Sequence, residues 1–114
     1  MSQNFGLKNS DFKYIVQLLD NTREVEQALI FGSRAVGNYR KGSDVDIAIK
    51  GKKINLSIAA HLNFILEEES PMPYFFDVVN YTGLKNKNLR SMIKKTGKII
   101  YKRNNKSYKT LPSL

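Results

Sequence analysis

Asp44 and Asp46 are separated by one valine at the head of an apolar run, SDVDIAI. Side chains alternate along a strand, so the two carboxylates share one face while Val45 and Ile47 take the other. Like charges that close repel, and the pair is costly without a cation between them. Oxygen-only ligands suit a hard cation such as Mg²⁺, which takes one or two carboxylates and completes its shell with water and substrate phosphates. Gly32-Ser33 closes another apolar run, ALIF, with ten residues between Ser33 and Asp44. A Gly-Ser turn leaving a strand offers N–H groups that can be approached closely, plus a hydroxyl, which is what a phosphate needs. A third acid, Asp77, lies inside YFFDVVN. A charge placed centrally in an apolar strand needs a compensating cation, and the same metal would supply it.

The elements that must position these residues are legible around them. Phe12, Ile15, Val16 and Leu19 repeat at helical spacing after Ser10, a candidate N-cap, and predict a helix from Asp11 to Asn21. A first strand is expected over 24–31, followed by a short helical turn over 33–36 and a loop over 37–42. The second strand, 44–50, follows so soon that an antiparallel pair with the first is expected. A helix over 55–68 presents Ile58, Leu62, Ile65 and Leu66 as its buried stripe. The run Glu67-Glu68-Glu69 reads as a solvated, fraying helix end, because acids there oppose the dipole. His61 lies off the stripe with no second His or Cys nearby and reads as a surface residue. After the loop 70–73 come a strand over 74–80, a helix over 87–96 with Leu89, Met92 and Ile93 inward, and a short strand over 99–101. Gly97 suits a helix C′ position.

With 114 residues there is room for one domain and one modest core. No cysteine is present, so disulfides and thiolate metal sites are excluded. The opening residues lack an apolar segment of signal-peptide length and no run approaches a membrane span, so no membrane association and a cytoplasmic location are expected. The net charge of +9 is unevenly placed. Residues 1–83 carry nine Lys/Arg against ten Asp/Glu, whereas residues 84–114 carry ten Lys/Arg and no acid. Such a block suits an acidic partner or a polyanionic substrate, or a solvated basic tail.

The constellation Gly32-Ser33, ten residues, Asp44-x-Asp46, set in a strand–turn–strand context, resembles the signature of the polymerase-β-type nucleotidyltransferase superfamily. The surrounding FGSRAVG and SDVDIAIKG are similar to its minimal, MNT-type branch, commonly encoded beside a HEPN-domain protein. The resemblance runs from Phe12 to Tyr101. It implies an α/β (α+β) fold: a single nucleotidyltransferase domain, residues 1–103, with a small mixed sheet flanked by helices, and a basic tail over 104–114. It implies transfer of AMP from ATP to a hydroxyl, with pyrophosphate leaving. Asp44, Asp46 and Asp77 would be the catalytic residues and the ligands of two Mg²⁺ ions, Asp77 also helping to deprotonate the attacking hydroxyl. Gly32 and Ser33 would bind the β- and γ-phosphates, and Arg34 would offset charge on the leaving pyrophosphate. The family often has a second arginine in this run, where the present chain has Val36. Polymerases of the superfamily carry further domains to grip nucleic acid, for which there is no room, so direct nucleic-acid binding is not favoured. The implied acceptor is a tyrosine of a HEPN-type RNase toxin, with the chain as antitoxin in a hetero-oligomer. Two other readings are a small-molecule nucleotidyltransferase of the aminoglycoside-modifying kind, and a non-catalytic nucleotide-binding module that neutralises its partner by contact.

Overall fold

The computed structural model describes residues 4–103; the basic tail expected over 104–114 lies outside the described residues. The elements run α1 (Asn9–Asn21), β1 (Gln27–Phe31), α2 (Ser33–Val36), β2 (Val45–Lys50), α3 (Leu56–Phe64) with a π-helical turn (Ile65–Glu69), β3 (Phe76–Asn80), α4 (Lys87–Thr96) and β4 (Lys98–Lys102). The four strands form one mixed sheet in the order β3-β2-β1-β4. β1 pairs antiparallel with β2 and β4, while β3 lies parallel to β2. A parallel neighbour needs a crossover, and α3 with its π turn supplies it.

Strand alternation divides the sheet into two faces. On one, Ala28, Ile30, Val45, Ile47, Ile49 and Phe76 meet Ile15, Val16 and Leu19 of α1 and Ala59, Leu62 and Leu66 of the α3 segment in the larger core. On the other, Phe31 and Ala48 pack with Ile93 of α4, and Leu29, Val79 and Leu89 close around them. Ile15, Ile30, Ile47 and Leu62 are almost fully buried, each worth about 1.5–3 kcal/mol relative to exposure. Among the described residues the second face carries α4 as its helix, and the acids of β2 and β3 lie on it, because Asp46 follows Val45 and Asp77 follows Phe76.

Four local readings differ from the expectation. α1 begins at Asn9, and Lys8 occupies the capping position without a side-chain cap, so Ser10 lies inside the first turn. Gly97 is not left-handed; its φ is −63°. Glycine is needed there because a Cβ would lie 2.6 Å from the Ile93 carbonyl oxygen. Met92 faces out rather than in, and its carbonyl accepts the Thr96 hydroxyl at 2.8 Å. The acidic run is more than a frayed end: the π turn brings Glu67 Oε2 to the Phe76 N–H at 2.6 Å, and Asn63 Oδ1 takes the Val78 N–H at 2.9 Å. These two amides point away from β2, so side chains of the α3 segment seal the outer edge of β3.

Candidate functional site

The Gly-Ser turn forms where β1 ends. Gly32 adopts φ +77°, a left-handed conformation that costs little only without a side chain. A second constraint acts at the same residue: a Cβ would lie 2.6 Å from Asp46 Oδ2. The turn's backbone therefore rests directly against Asp46, the acid of β2. Ser33 opens α2, and the Gly32 N–H leans on Thr96 Oγ1 at 3.4 Å, a long contact that brings the end of α4 beside the turn.

Register assembles the acids. Phe31 pairs with Asp46 across β1 and β2, and Asp46 pairs with Asp77 across β2 and β3, so one row across the sheet reads Phe31, Asp46, Asp77. Asp44 precedes Val45 and falls on the same face one step nearer the strand's mouth. Asp46 is half-buried, whereas Asp44 and Asp77 are exposed. Burial and then the charges of Asp77 and Asp44 hold the Asp46 carboxyl at about 6, far above the usual carboxylate range, with Arg34 pulling weakly the other way.

That raised value has a sign that can be checked. Between pH 4 and 6 the folded chain binds a proton at Asp46 that the unfolded chain has released, so metal-free stability falls as pH rises through this window. Above pH 6 the penalty is fully present. Discounted for solvent screening at a half-exposed group, it amounts to about 1 kcal/mol. Asp46→Asn is therefore expected to raise the melting temperature of chelator-treated protein by several degrees at pH 7.5 and by nothing near pH 4. An equal effect at both pH values would remove the charge repulsion from the account.

Among the described residues, no group of three or more His, Cys, Asp or Glu side chains forms a ready-made metal cluster. Mg²⁺ does not require an all-protein cage, because it completes its shell with phosphate oxygens and water. The donor set, oxygen-only and with uncompensated negative charge at Asp46, matches that cation.

Arg34 is placed otherwise than its spacing suggests. It is 2% exposed, the one charged side chain among the fully buried described residues. Its Nε and Nη2 donate to the Ser43 carbonyl at 3.1 and 2.9 Å, and its Nη1 donates to the Phe5 carbonyl at 2.9 Å. Tyr39 and Tyr74 place their rings 5.1 Å from the guanidinium carbon. Phe5 holds φ +59° to aim its carbonyl, and a Cβ on the neighbouring Gly6 would strike Tyr39 and Arg34 Nη1. The guanidinium thus ties the amino-terminal segment to Ser43, the residue before Asp44. Sequence spacing shows which residues neighbour a motif but not which way an arginine turns. The aromatic partners Tyr39 and Tyr74 were the signal available for a buried role. Arg40 and Lys41 are exposed on the loop, and His61 is exposed as expected.

The comparisons with known proteins agree with this geometry. The family model described as polymerase beta, nucleotidyltransferase, matches residues 13–106. No curated protein matches the chain significantly. Among solved structures, a toxin–antitoxin complex with AMP-PNP superposes with a TM-score of 0.67 at 19% identity, covering 86% of this chain and 76% of that one. A tri-AMPylated Shewanella oneidensis HEPN toxin in complex with MNT antitoxin gives 0.65 at 19%, over 85% and 74%. The MntA–HepT toxin–antitoxin gives 0.63 at 19%, over 84% and 74%. At such identities the likeness is one of fold.

Proposed function

The chain belongs to the polymerase beta nucleotidyltransferase family, and from that premise we propose that it transfers AMP from ATP to a tyrosine hydroxyl of a HEPN-type RNase toxin, acting as that toxin's antitoxin in the cytoplasm. The observation that carries the reading is the row Asp46–Asp77 with the Gly32 backbone packed against the Asp46 carboxylate. Phosphate grip and acidic pair are thereby adjacent on one sheet face. The fold shared with toxin–antitoxin complexes, one with AMP-PNP and one with an AMPylated HEPN toxin, supports the choice of nucleotide and partner. The basic excess after residue 83 suits an acidic partner surface.

In this reading Asp44, Asp46 and Asp77 hold Mg²⁺, which supplies neutralisation of the charge on the transferring phosphate. Gly32 and Ser33 seat the β- and γ-phosphates through backbone N–H groups and the serine hydroxyl. The long Gly32–Thr96 contact yields to a phosphate oxygen. Asp77, exposed on the edge strand, receives the proton of the attacking hydroxyl at a carboxylate oxygen.

The test is the intact mass of the HEPN-type partner after incubation with this chain, ATP and Mg²⁺. A gain of one or more AMP units supports the proposal. A tight complex without a mass gain would replace transfer by neutralisation through contact, and neither complex nor gain would redirect the search to small-molecule acceptors.

A further inference from the structure

Phe75 is 71% exposed, yet it immediately precedes the strand that carries Asp77. Phe76 and Val78 point into the larger core, so Phe75 and Asp77 point together to the opposite face, the face of Asp44 and Asp46. The peptide unit that follows Phe75 is pinned at both ends: its carbonyl accepts the Val45 N–H at 2.9 Å, and its amide, the Phe76 N–H, donates to Glu67 at 2.6 Å. Pro73 stiffens the approach two residues earlier. An apolar ring is thus held out toward solvent, beside the carboxylates, on a backbone that is already fixed.

On the nucleotidyl-transfer reading, in which this inference is grounded, direction follows from strand order. The β- and γ-phosphates lie at the Gly32–Ser33 turn after β1, with β2 between it and β3. In an in-line displacement the attacking oxygen enters opposite the leaving group. Pyrophosphate departs on the β1 side, so the acceptor arrives on the β3 side, where Phe75 stands. The acceptor oxygen forms a bond to the α-phosphorus, the bond from that phosphorus to the pyrophosphate oxygen breaks, and the hydroxyl proton passes to Asp77.

We propose that Phe75 is the acceptor subsite, a platform that seats the aromatic ring of a phenolic acceptor while its hydroxyl lies at Asp77. Same-face side chains two residues apart on a strand are separated by about 7 Å. A phenol whose oxygen lies at the Asp77 carboxylate extends its ring along most of that span. Its centroid then falls within the about 4.5–7 Å over which aromatic rings attract. A serine or threonine hydroxyl at the same place leaves Phe75 uncovered, so the ring selects tyrosine over aliphatic alcohols.

The chain has no tryptophan, so Phe75→Trp installs a single reporter at the subsite. With Mg²⁺ and a non-hydrolysable ATP analogue present, N-acetyl-tyrosinamide should change its fluorescence saturably and N-acetyl-serinamide should not. A full change on adding the analogue alone would make Phe75 a base platform and overturn the proposal, as would no response to the tyrosine derivative. In pyrophosphate-release kinetics with N-acetyl-tyrosinamide, Phe75→Ala should raise the acceptor KM about tenfold with the ATP KM unchanged, and Phe75→Trp should restore it. A rise in the ATP KM instead, or an unchanged acceptor KM, would also overturn it. If the unaltered chain releases no pyrophosphate with any acceptor, nucleotidyl transfer itself fails, while the fluorescence titration still decides the subsite.

Discussion

Replacing Asp44 and Asp46 together by asparagine should lower AMP transfer by about a thousandfold or more while leaving the fold intact. The size follows from what the pair is asked to do. Metal stabilisation of a phosphoryl transition state is worth several kcal/mol, and about 4 kcal/mol corresponds to a thousandfold in rate. The fold survives because Asp44 is exposed and Asp46 half-buried, and because a neutral asparagine escapes the burial cost and the repulsion that together lift the Asp46 carboxyl to about 6. Two readouts check this: partner mass for transfer, and the melting temperature with and without Mg²⁺ and ATP analogue. The unaltered chain should be stabilised by the ligands and the double variant should not. Full turnover in the double variant would refute the metal assignment.

The second large effect is expected at Arg34. Arg34→Met removes the guanidinium from between two tyrosine rings and strands the carbonyls of Phe5 and Ser43 in a buried site. Leaving each of these carbonyls unpaired costs about 1–3 kcal/mol. For a domain near one hundred residues each kcal/mol is worth about 4–8 °C in melting temperature. A fall of about 15 °C or more in thermal unfolding is therefore expected, with Arg34→Lys intermediate because it keeps the charge and fewer donors. Had Arg34 faced the pyrophosphate, the methionine variant would melt normally and lose only its hold on ATP. That pattern would return the residue to the phosphates.

These two residue sets show what a sequence exposes and what it conceals. The acids, the Gly-Ser turn and the strands that carry them were legible because alternation, turn chemistry and spacing are local. The helix over 87–96 was read to the residue, since the apolar period that marks it is local. The burial of Arg34 was not legible because two of its partners lie 29 residues upstream and 40 downstream, at Phe5 and Tyr74, and only folding unites them. The π turn was missed for a related reason. Glu67 departs from helical order to reach Phe76, an amide on an edge strand that the sequence does not show to be an edge. Met92 matched the apolar period, yet α4 meets the sheet mainly through Ile93, a choice set by the sheet surface.

The sealed edge of β3 also governs how a partner can arrive. An open edge strand invites β-augmentation, in which an incoming segment adds itself as a further strand. With the Phe76 and Val78 amides already taken by Glu67 and Asn63, that route is closed on the side of the sheet that carries Asp77. On the proposed function, an acceptor chain would descend onto the face of the carboxylates instead, presenting one side chain while its own backbone stays outside the ladder. Such an approach would leave the product nothing to unzip from, so that release after transfer would require only that the modified side chain lift away.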